Sequence, residues 1–350
     1  MRILLATDSF YPTVDSTTVT IKATVDRLVD LGHTVRIVAP GPGLRSYRGC
    51  EVVRVRQPES TGSQVRAAVD AFEPDVVQAH TPRHVGRKAV RHAARTGVRS
   101  IVVEQSAVLD LAADHWRSRV VEHADTVLVT SPWMVGRAAE MGVVAHLWEP
   151  GVDVRAFTPR LRDPWLHSVW SRASSPGGPR VVVGYVGGLH KPAGVRRLAG
   201  LAALPGLRVV VVGEGPERGW LTRRLPTARF TGGLSTGDLT VALPSLDVLV
   251  HPGEHETDCH TLRQAAASGV PLVAPRSGGA RSVVDHLSTG VLYPPGSTRD
   301  LVGAVAAVAA DPHRHLLGSE ARSWALRRTW ADAVDELLTR HLAVRAGARA

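Results

Sequence analysis

Apolar residues in the first half of the chain follow two alternating patterns. Short continuous apolar runs are typical of buried strands, and apolar residues three and four positions apart are typical of helices. We predict strands at 3–6, 34–39, 51–56, 75–79, 100–103 and 126–130, and helices at 18–31, 64–72 and 86–96. Strands that alternate with helices pair in parallel through right-handed crossovers. The first half therefore predicts a Rossmann-like, doubly wound α/β domain.

The same alternation starts again near residue 180. Strands are predicted at 180–185, 208–212, 248–250 and 270–274, and helices at 261–267, 299–310 and 319–342, with a frayed tail after 345. Between the two runs, residues 151–179 are polar and contain four prolines, which is typical of a linker. Two doubly wound domains place a central cleft between the carboxyl ends of their sheets.

These patterns give a domain organisation for the whole chain. We expect an N-terminal Rossmann-like domain at 1–155, a linker at 156–179, a C-terminal Rossmann-like domain at 180–330, and a terminal helix and tail at 331–350.

Composition narrows the class of partner. The 350 residues carry a net charge of +10, but the basic residues are dispersed and aromatic residues make up only 5%. We therefore expect no nucleic-acid partner, because the sequence shows no group of aromatic residues on which bases could stack. The charge favours an anionic ligand or peripheral contact with a lipid surface. Two cysteines form no disulfide framework and are expected to be buried, which fits a cytoplasmic protein.

Residues 255–279 are the most informative part of the sequence. An apolar strand at 246–250 ends before Pro252, a helix follows, and the strand at 270–274 leads into the turn Ser277-Gly278-Gly279. Polar groups at the carboxyl ends of parallel strands bind nucleotides and phosphates in open α/β sheets. This region is therefore a candidate nucleotide site.

The region resembles the donor-sugar site of the family 4 glycosyltransferases, which have the GT-B fold. That family has a Glu, seven residues, a second Glu, a small-residue helix, SGVPVVAP and a Gly-Gly loop. Here Glu256 stands at the first position and Gln264 at the second. The segments TDSFYPTVDSTTVTI, FEPDVVQAHTP, VGYVGGLHKPAGVRRL and SLDVLVHPGEHET, among others, are similar in the same order to actinobacterial GDP-mannose-dependent α-mannosyltransferases.

The resemblance implies a retaining glycosyltransferase that needs no metal and no cofactor, with a nucleotide sugar as co-substrate, GDP-linked by preference. Catalytic roles are expected for Glu256 in the second domain and for His80 and Gln105 near the acceptor in the first. The acceptor is expected to be a small molecule, as in natural-product assembly, or lipid-linked. The implied donor contacts are Gly187, Gly188, Lys191, Gly213, Glu256, Asp258, Cys259, His260, Gln264 and Ser16.

Several positions depart from that family. An Arg and a Lys that hold the donor pyrophosphate are replaced by Gly188 and Ala193, and the flexible Asn-Gly loop by Asp15-Ser16. Gln264 replaces the Glu that holds the ribose. Each lost charged bond is worth roughly 1.5–3 kcal/mol. Groups that could compensate are His190, Lys191, Arg263 and Arg276.

The departures leave a second hypothesis open, a catalytically degenerate relative that acts as a partner or scaffold. A metal site built from His251, His255 and His260 is disfavoured, because their spacing matches no zinc pattern.

Overall fold

The structure is a computed structural model that describes residues 1–56, 60–108, 110–172 and 179–342. The chain divides into two compact units. Unit 1 comprises Met1–Pro150 and the chain from Trp330 onwards, and unit 2 comprises Gly151–Thr329. Each unit is an α/β structure built on a sheet of parallel strands, as the alternating pattern predicts. No helix within the described ranges is both long and apolar enough to cross a membrane.

Unit 1 contains an eight-stranded sheet in the order β3-β4-β2-β1-β5-β6-β7-β8, parallel except for the β3–β4 pair. Its central strands are buried almost along their whole length, and Leu5 of the first strand pairs with Ile37 on one side and Gln78 on the other. The elements are β1 Arg2–Thr7, α1 Ser16–Asp30, β2 Thr34–Pro40, β3 Ser46–Tyr47, β4 Cys50–Val55, α2 Thr61–Asp70, β5 Val76–His80, α3 Val85–Thr96, β6 Arg99–Glu104, α4 Ala113–Arg119, β7 Thr126–Val129, α5 Pro132–Glu140 and β8 His146–Leu147.

Unit 2 contains a six-stranded parallel sheet in the order β11-β10-β9-β12-β13-β14. Two 3-10 helices, Lys191–Ala193 and Val195–Ala203, follow its first strand, and two others span Pro159–Leu161 and Gly278–Ser282. The other elements are α6 Pro164–Ser171, β9 Val181–Val186, β10 Leu207–Val212, α7 Arg218–Arg224, β11 Arg229–Gly232, α8 Thr236–Ala242, β12 Val248–Val250, α9 His260–Ala267, β13 Leu272–Pro275, β14 Gly290–Tyr293, α10 Thr298–Ala310 and α11 Arg314–Ala325.

Each sheet has one topological switch point, where successive crossovers change direction. In unit 1 the chain fills one side of β1 through β2 and β4 and then the other side through β5, β6 and β7. In unit 2 it fills one side of β9 through β10 and β11, and the other through β12, β13 and β14. Ligands of open α/β sheets bind at the carboxyl ends of strands at such a point.

The change of unit falls at Pro150, and the described part of the expected linker, residues 156–172 and 179, belongs to unit 2. Phe157 and Trp170 are buried in its hydrophobic core. Asp163 caps α6 by accepting from the Trp165 and Leu166 N–H groups. Pro164 fits at the first helical position, where its missing N–H is not needed. The prolines that predicted a linker thus include one that starts a helix. Residues 173–178 lie outside the described residues.

The predicted helix at 319–342 is divided into separate segments. After α11, the chain returns to unit 1 as α12 Trp330–Glu336, followed by a π-helical turn, Leu337–Leu342. In unit 1 the Trp148 indole donates to the Ala333 carbonyl at 2.8 Å, and Arg27 pairs with Asp335 through both carboxylate oxygens. The last helix therefore completes the unit formed by the start of the chain. Residues 343–350 of the expected tail lie outside the described residues.

Candidate functional site

Three loops meet at the switch point of unit 2. They follow β9, β12 and β13 and span residues 187–190, 251–259 and 276–277. The chain just after the first loop packs closely against the second. Arg197 donates to the Pro252 carbonyl at 3.2 Å. Gly194 lies so close to the same oxygen that a Cβ there would be 2.5 Å from it. The loops thus form one local surface, and half of the predicted donor contacts lie on it.

Gly187 and Gly213 allow two strand ends to pack against each other. The Gly187 N–H donates to the Val212 carbonyl at 3.0 Å, and a side chain on Gly213 would collide with the Gly187 carbonyl. Both residues have positive φ angles, 156° and 139°, which favour glycine. Backbone packing therefore explains why both positions are glycine. That their N–H groups contact the donor stays a prediction.

Gly188 is exposed, and the space beside its Cα is occupied. The ring of His190 lies where a side chain on Gly188 would begin, and the Tyr185 hydroxyl donates to the Gly188 carbonyl at 2.9 Å. Ala193 ends the short 3-10 helix and is half-buried. The resemblance places a cation at both positions, but neither residue supplies one.

Of the cations near this surface, two have no partner and three are engaged. The exposed Lys191 and Arg276 make no side-chain hydrogen bond or ion pair among the residues that the structure describes; the Lys191 charge helps to lower the pKa of Glu217. The engaged ones are Arg196 with Glu217, Arg197 with Glu254, and Arg263 with the Asp258 carbonyl and the Trp324 ring. Arg263 is only 1% exposed, so its expected compensating role in the pyrophosphate site does not fit this structure. Lys191 and Arg276 remain the candidate anion contacts.

Two carboxylates of the 251–259 loop have different environments. Glu254 accepts from Arg197 at 2.8 Å and from the Gly296 N–H at 2.6 Å, so it holds the loop in place. The half-buried Glu256 carboxylate has no hydrogen-bond or ion-pair partner within the described ranges. Glu256 therefore has acceptor capacity that the chain itself leaves unused.

The second position of the pattern behaves like the first. Gln264 lies in α9, half-buried, and its amide also has no partner within the described part of the chain. Between the two, Asp258 and His260 lie 3.5 Å apart as a His–Asp pair, and Asp258 is only 3% exposed. Cys259 is buried at φ 51°, and burial raises the pKa of its thiol. The structure thus leaves the two pattern positions available, while Asp258 and His260 already contact each other.

The Ser277-Gly278-Gly279 turn packs against the backbone of the 251–259 loop. The Ser277 hydroxyl donates to the Glu254 carbonyl at 3.0 Å, and the Gly279 N–H donates to the Glu256 carbonyl at 2.6 Å. A side chain on Gly278 would begin 2.7 Å from the Glu254 carbonyl. The two glycines are needed because the loop backbone crosses directly over them.

Sequence reasoning did not assign roles to His251, Gly253 or Tyr185 in this site. His251 follows β12, is 7% exposed, and has no hydrogen-bond partner for either ring nitrogen in the described structure. Burial raises the pKa of the Tyr185 hydroxyl, and the Glu256 charge adds to this effect. The sequence signal for His251 is a histidine placed directly after an apolar strand, where a residue is buried yet next to the loop.

At the switch point of unit 1, two carboxylates of the chain accept hydrogen bonds from the N-termini of helices. Asp8, after β1, accepts from the N–H groups of Arg83, His84 and Val85, at 2.8–2.9 Å, and so occupies the N-terminus of α3. Asp15 caps α1 by accepting from the Thr18 N–H at 2.9 Å. Ser16 is the exposed first residue of that helix. The helix N-termini that could bind a phosphate here already have internal acceptors.

His80 and Gln105 belong to a buried hydrogen-bond chain in unit 1. The Gln105 amide donates to Thr20 Oγ1 at 2.7 Å, so its Oε1 accepts from His80 Nδ1 at 3.1 Å, and His80 Nε2 accepts from Gln78 at 2.9 Å. His80 is fully buried, and burial lowers its pKa to about 4. Both ring nitrogens are engaged, so this geometry favours a positioning role for His80 over direct acceptor contact.

Two family models match the chain, one in each half. The model described as "Glycosyl transferases group 1" matches residues 170–324, and the one described as "Glycosyl transferase 4-like domain" matches residues 17–147.

Curated relatives match nearly the whole length. The chain is 36% identical over 373 aligned residues to the GDP-mannose-dependent alpha-mannosyltransferase of Mycolicibacterium smegmatis, covering 98% of each chain. It is 30% identical to the enzyme of the same name from Corynebacterium glutamicum, covering 90% of this chain and 82% of the other.

Solved structures share the fold at low sequence identity. Sucrose-phosphate synthase of Thermosynechococcus elongatus has a TM-score of 0.79 at 17% identity, covering 96% of this chain and 97% of the other. Anabaena Alr3699/HepE in complex with UDP has a TM-score of 0.79 at 18% identity, covering 96% and 98%.

Proposed function

This chain belongs to the group 1 glycosyl transferases and has the GT-B fold, and we propose that it transfers a hexose with retention from a GDP-linked donor to a hydroxyl acceptor. Its relatives named as GDP-mannose-dependent enzymes favour mannose as the sugar. The C1–O bond to the diphosphate breaks, a new C1–O bond to the acceptor oxygen forms on the same face, and the hydroxyl proton leaves with the diphosphate. No cofactor is needed for this chemistry.

The unpartnered carboxylate of Glu256 is the observation that carries the proposal. It lies in the loop after β12, at the switch point where open α/β sheets bind nucleotides,. Gln264, on α9, is the second polar side chain of the pattern that has no partner in the described structure. A carboxylate and an amide can together accept from and donate to sugar and ribose hydroxyls. The proposed donor therefore lies along Glu256 and Gln264.

The diphosphate of the donor needs positive charge, and Lys191 and Arg276 are the groups that can provide it. Both are exposed and free of side-chain partners in the described ranges. Each charged hydrogen bond is worth roughly 1.5–3 kcal/mol, so two of them offset much of what is lost at Gly188 and Ala193. Catalysis then rests on orientation and on stabilisation of the leaving diphosphate.

We assign the acceptor to unit 1, around the loops that follow β1 and β5. We keep a small-molecule acceptor and a lipid-linked acceptor as the two alternatives. The surface around α3 favours the second, because the exposed Arg83 just before the helix and the exposed Arg91 and Arg95 on it have no ion-pair partner in the described structure. Such a face would attract an anionic membrane surface. Sedimentation with vesicles that contain anionic lipid, compared with neutral vesicles, tests this peripheral contact.

A catalytically degenerate scaffold gains no support from the relatives, which are named as enzymes.

The buried free cysteines Cys50 and Cys259 favour a reducing compartment such as the cytoplasm,.

The proposed donor can be tested by ligand-dependent stability. GDP-mannose, GDP-glucose, UDP-glucose and ADP-glucose are added separately, and a ligand that binds the folded state raises the melting temperature. Mass spectrometry of reactions with candidate acceptors then identifies the product, and NMR of its anomeric proton gives the stereochemistry. We expect GDP-mannose to give the largest shift and an α-linked product. Stabilisation by UDP- or ADP-glucose alone would contradict the GDP assignment, and an inverted product would contradict retention.

A further inference from the structure

His251 is a buried polar side chain without polar contacts. It follows β12, where its backbone N–H donates to the Val273 carbonyl at 2.8 Å. Its side chain is 93% buried, and neither Nδ1 nor Nε2 has a hydrogen-bond partner in the described part of the chain. The strand fixes where the imidazole lies, but nothing that the structure describes uses its hydrogen-bonding groups.

A histidine in this state lowers the stability of the free protein. A neutral imidazole always presents one N–H donor and one lone pair. Burying both without partners costs free energy that an apolar residue of similar volume would not. Burial lowers the pKa of His251, with the Glu256 charge acting in the opposite direction. The presence of histidine at this position therefore indicates a partner that the free protein does not supply.

Glu256 lies close enough to be that partner. A side chain on Gly253 would begin 2.9 Å from His251 Nε2, 2.9 Å from Glu256 Cγ and 3.5 Å from Glu256 Oε1. The imidazole and the carboxylate therefore lie around the same point, which is open because residue 253 has no Cβ. They make no hydrogen bond in this structure, so a rotation of the Glu256 side chain across Gly253 would be needed to join them.

We propose that His251 is a positioning residue whose Nε2–H donates to the Glu256 carboxylate when a donor is bound, fixing that carboxylate against the hydroxyls of the donor hexose. This inference rests on the proposed function. One carboxylate oxygen accepts from the imidazole, and the other stays free to accept from a sugar hydroxyl. In this arrangement the nucleotide part of the donor contacts Gln264, Lys191 and Arg276 and not this pair, so only binding of the sugar should depend on it.

Two substitutions at residue 251 separate this role from a structural one. His251→Leu removes the donor and keeps an apolar side chain of similar size, and His251→Gln keeps an N–H near the place of Nε2. Binding of GDP and of GDP-mannose is measured by calorimetry, together with the melting temperature. For His251→Leu we expect roughly ten-fold or greater weakening of GDP-mannose binding, the size of a charge-assisted hydrogen bond. GDP affinity should change less than about two-fold, and the melting temperature should stay equal or rise. His251→Gln should recover most of the affinity.

A third substitution blocks the pair without replacing either His251 or Glu256. Gly253→Ala places a methyl group between the imidazole and the carboxylate, and residue 253 does not have a positive φ, so alanine fits the backbone. Gly237→Ala on α8 is the matched control, since the nearest atom to its added Cβ is 3.7 Å away. We expect Gly253→Ala to weaken GDP-mannose binding more than GDP binding, and Gly237→Ala to change neither.

The possible outcomes distinguish failure of the His251 positioning role from failure of the proposed function on which it rests. Wild-type protein that binds no nucleotide sugar would overturn both. Wild-type binding with an unaffected His251→Leu variant would overturn the positioning role alone. A parallel loss of GDP and GDP-mannose affinity in His251→Leu would show that the imidazole supports the loop generally, and would also overturn the inference.

Discussion

The imidazole of His190 lies over Gly188, in the space where a side chain at residue 188 would begin. The similar mannosyltransferases are expected to carry a phosphate-binding Arg at this position. The ring of His190 therefore stands where that side chain would leave the backbone. Restoring the missing cation requires the imidazole to move.

This relationship predicts the outcome of rebuilding the pyrophosphate site. Gly188→Arg with Ala193→Lys should fail to tighten GDP binding while His190 is present, because the new side chain and the ring compete for the same space. Adding His190→Ala should allow the new cations to act and tighten GDP binding roughly ten-fold. Calorimetry on the double and triple variants checks this. Tighter binding by the double variant alone would show that His190 moves away freely.

Lys191 should carry much of the affinity for the nucleotide diphosphate. It is exposed at the start of the 3-10 helix Lys191–Ala193 and has no ion pair in the described structure. Lys191→Met should weaken GDP binding roughly ten-fold, the loss of one charged bond, with little change in melting temperature. Arg223→Met, on the exposed face of α7, is the matched control and should bind GDP normally. Equal GDP affinity in both variants would move the phosphate contact to Arg276 or to backbone groups.

Glu254 and Glu256 should have opposite phenotypes when each is changed to Gln. Glu254→Gln removes the ion pair with Arg197 and should lower the free energy of unfolding by about 1–3 kcal/mol, because the pair is partly buried. Glu256→Gln loses no contact that the structure describes and should keep the melting temperature, yet abolish turnover. Thermal unfolding and product formation are measured for both. A fully active Glu256→Gln enzyme would show that Glu256 does not belong to the donor site.

His80 should make the stability of unit 1 depend on pH. Burial lowers its pKa to about 4 in the folded protein, against about 6.5 in an unfolded chain. The unfolded state binds the proton first as pH falls, so the stability is fully present above pH 6.5 and is lost as pH falls towards 4. The loss is about 3 kcal/mol.

Urea unfolding between pH 4 and pH 7 measures this effect. The His80→Asn variant should lose this part of the pH dependence, since the titrating group is gone. The exposed His313→Asn variant in unit 2 should keep it. Identical pH profiles for wild type and His80→Asn would show that His80 does not titrate in this range.

The sequence by itself determined the central elements and the position of the candidate site. Continuous apolar runs such as those of β1, β9 and β12 can only be buried, so their strand assignment did not depend on neighbours. Glu256 and Gln264 were predicted from the resemblance of this segment to a family pattern, and their role in donor binding stays a prediction. Several elements escaped prediction. β11 alternates between exposed and half-buried residues and α6 buries only its last two, so both depend on packing within their unit.

Only the tertiary structure decided which polar groups in that site are available. Glu254 and Glu256 are identical in type and two residues apart, yet one is held by Arg197 and Gly296 and the other has no partner in the described ranges. The same holds for cations: Arg263 is buried against Trp324, while Lys191 is exposed. These differences arise from contacts between residues far apart in the chain. A sequence pattern fixes the chemistry of a side chain, but the fold decides whether that chemistry is already used.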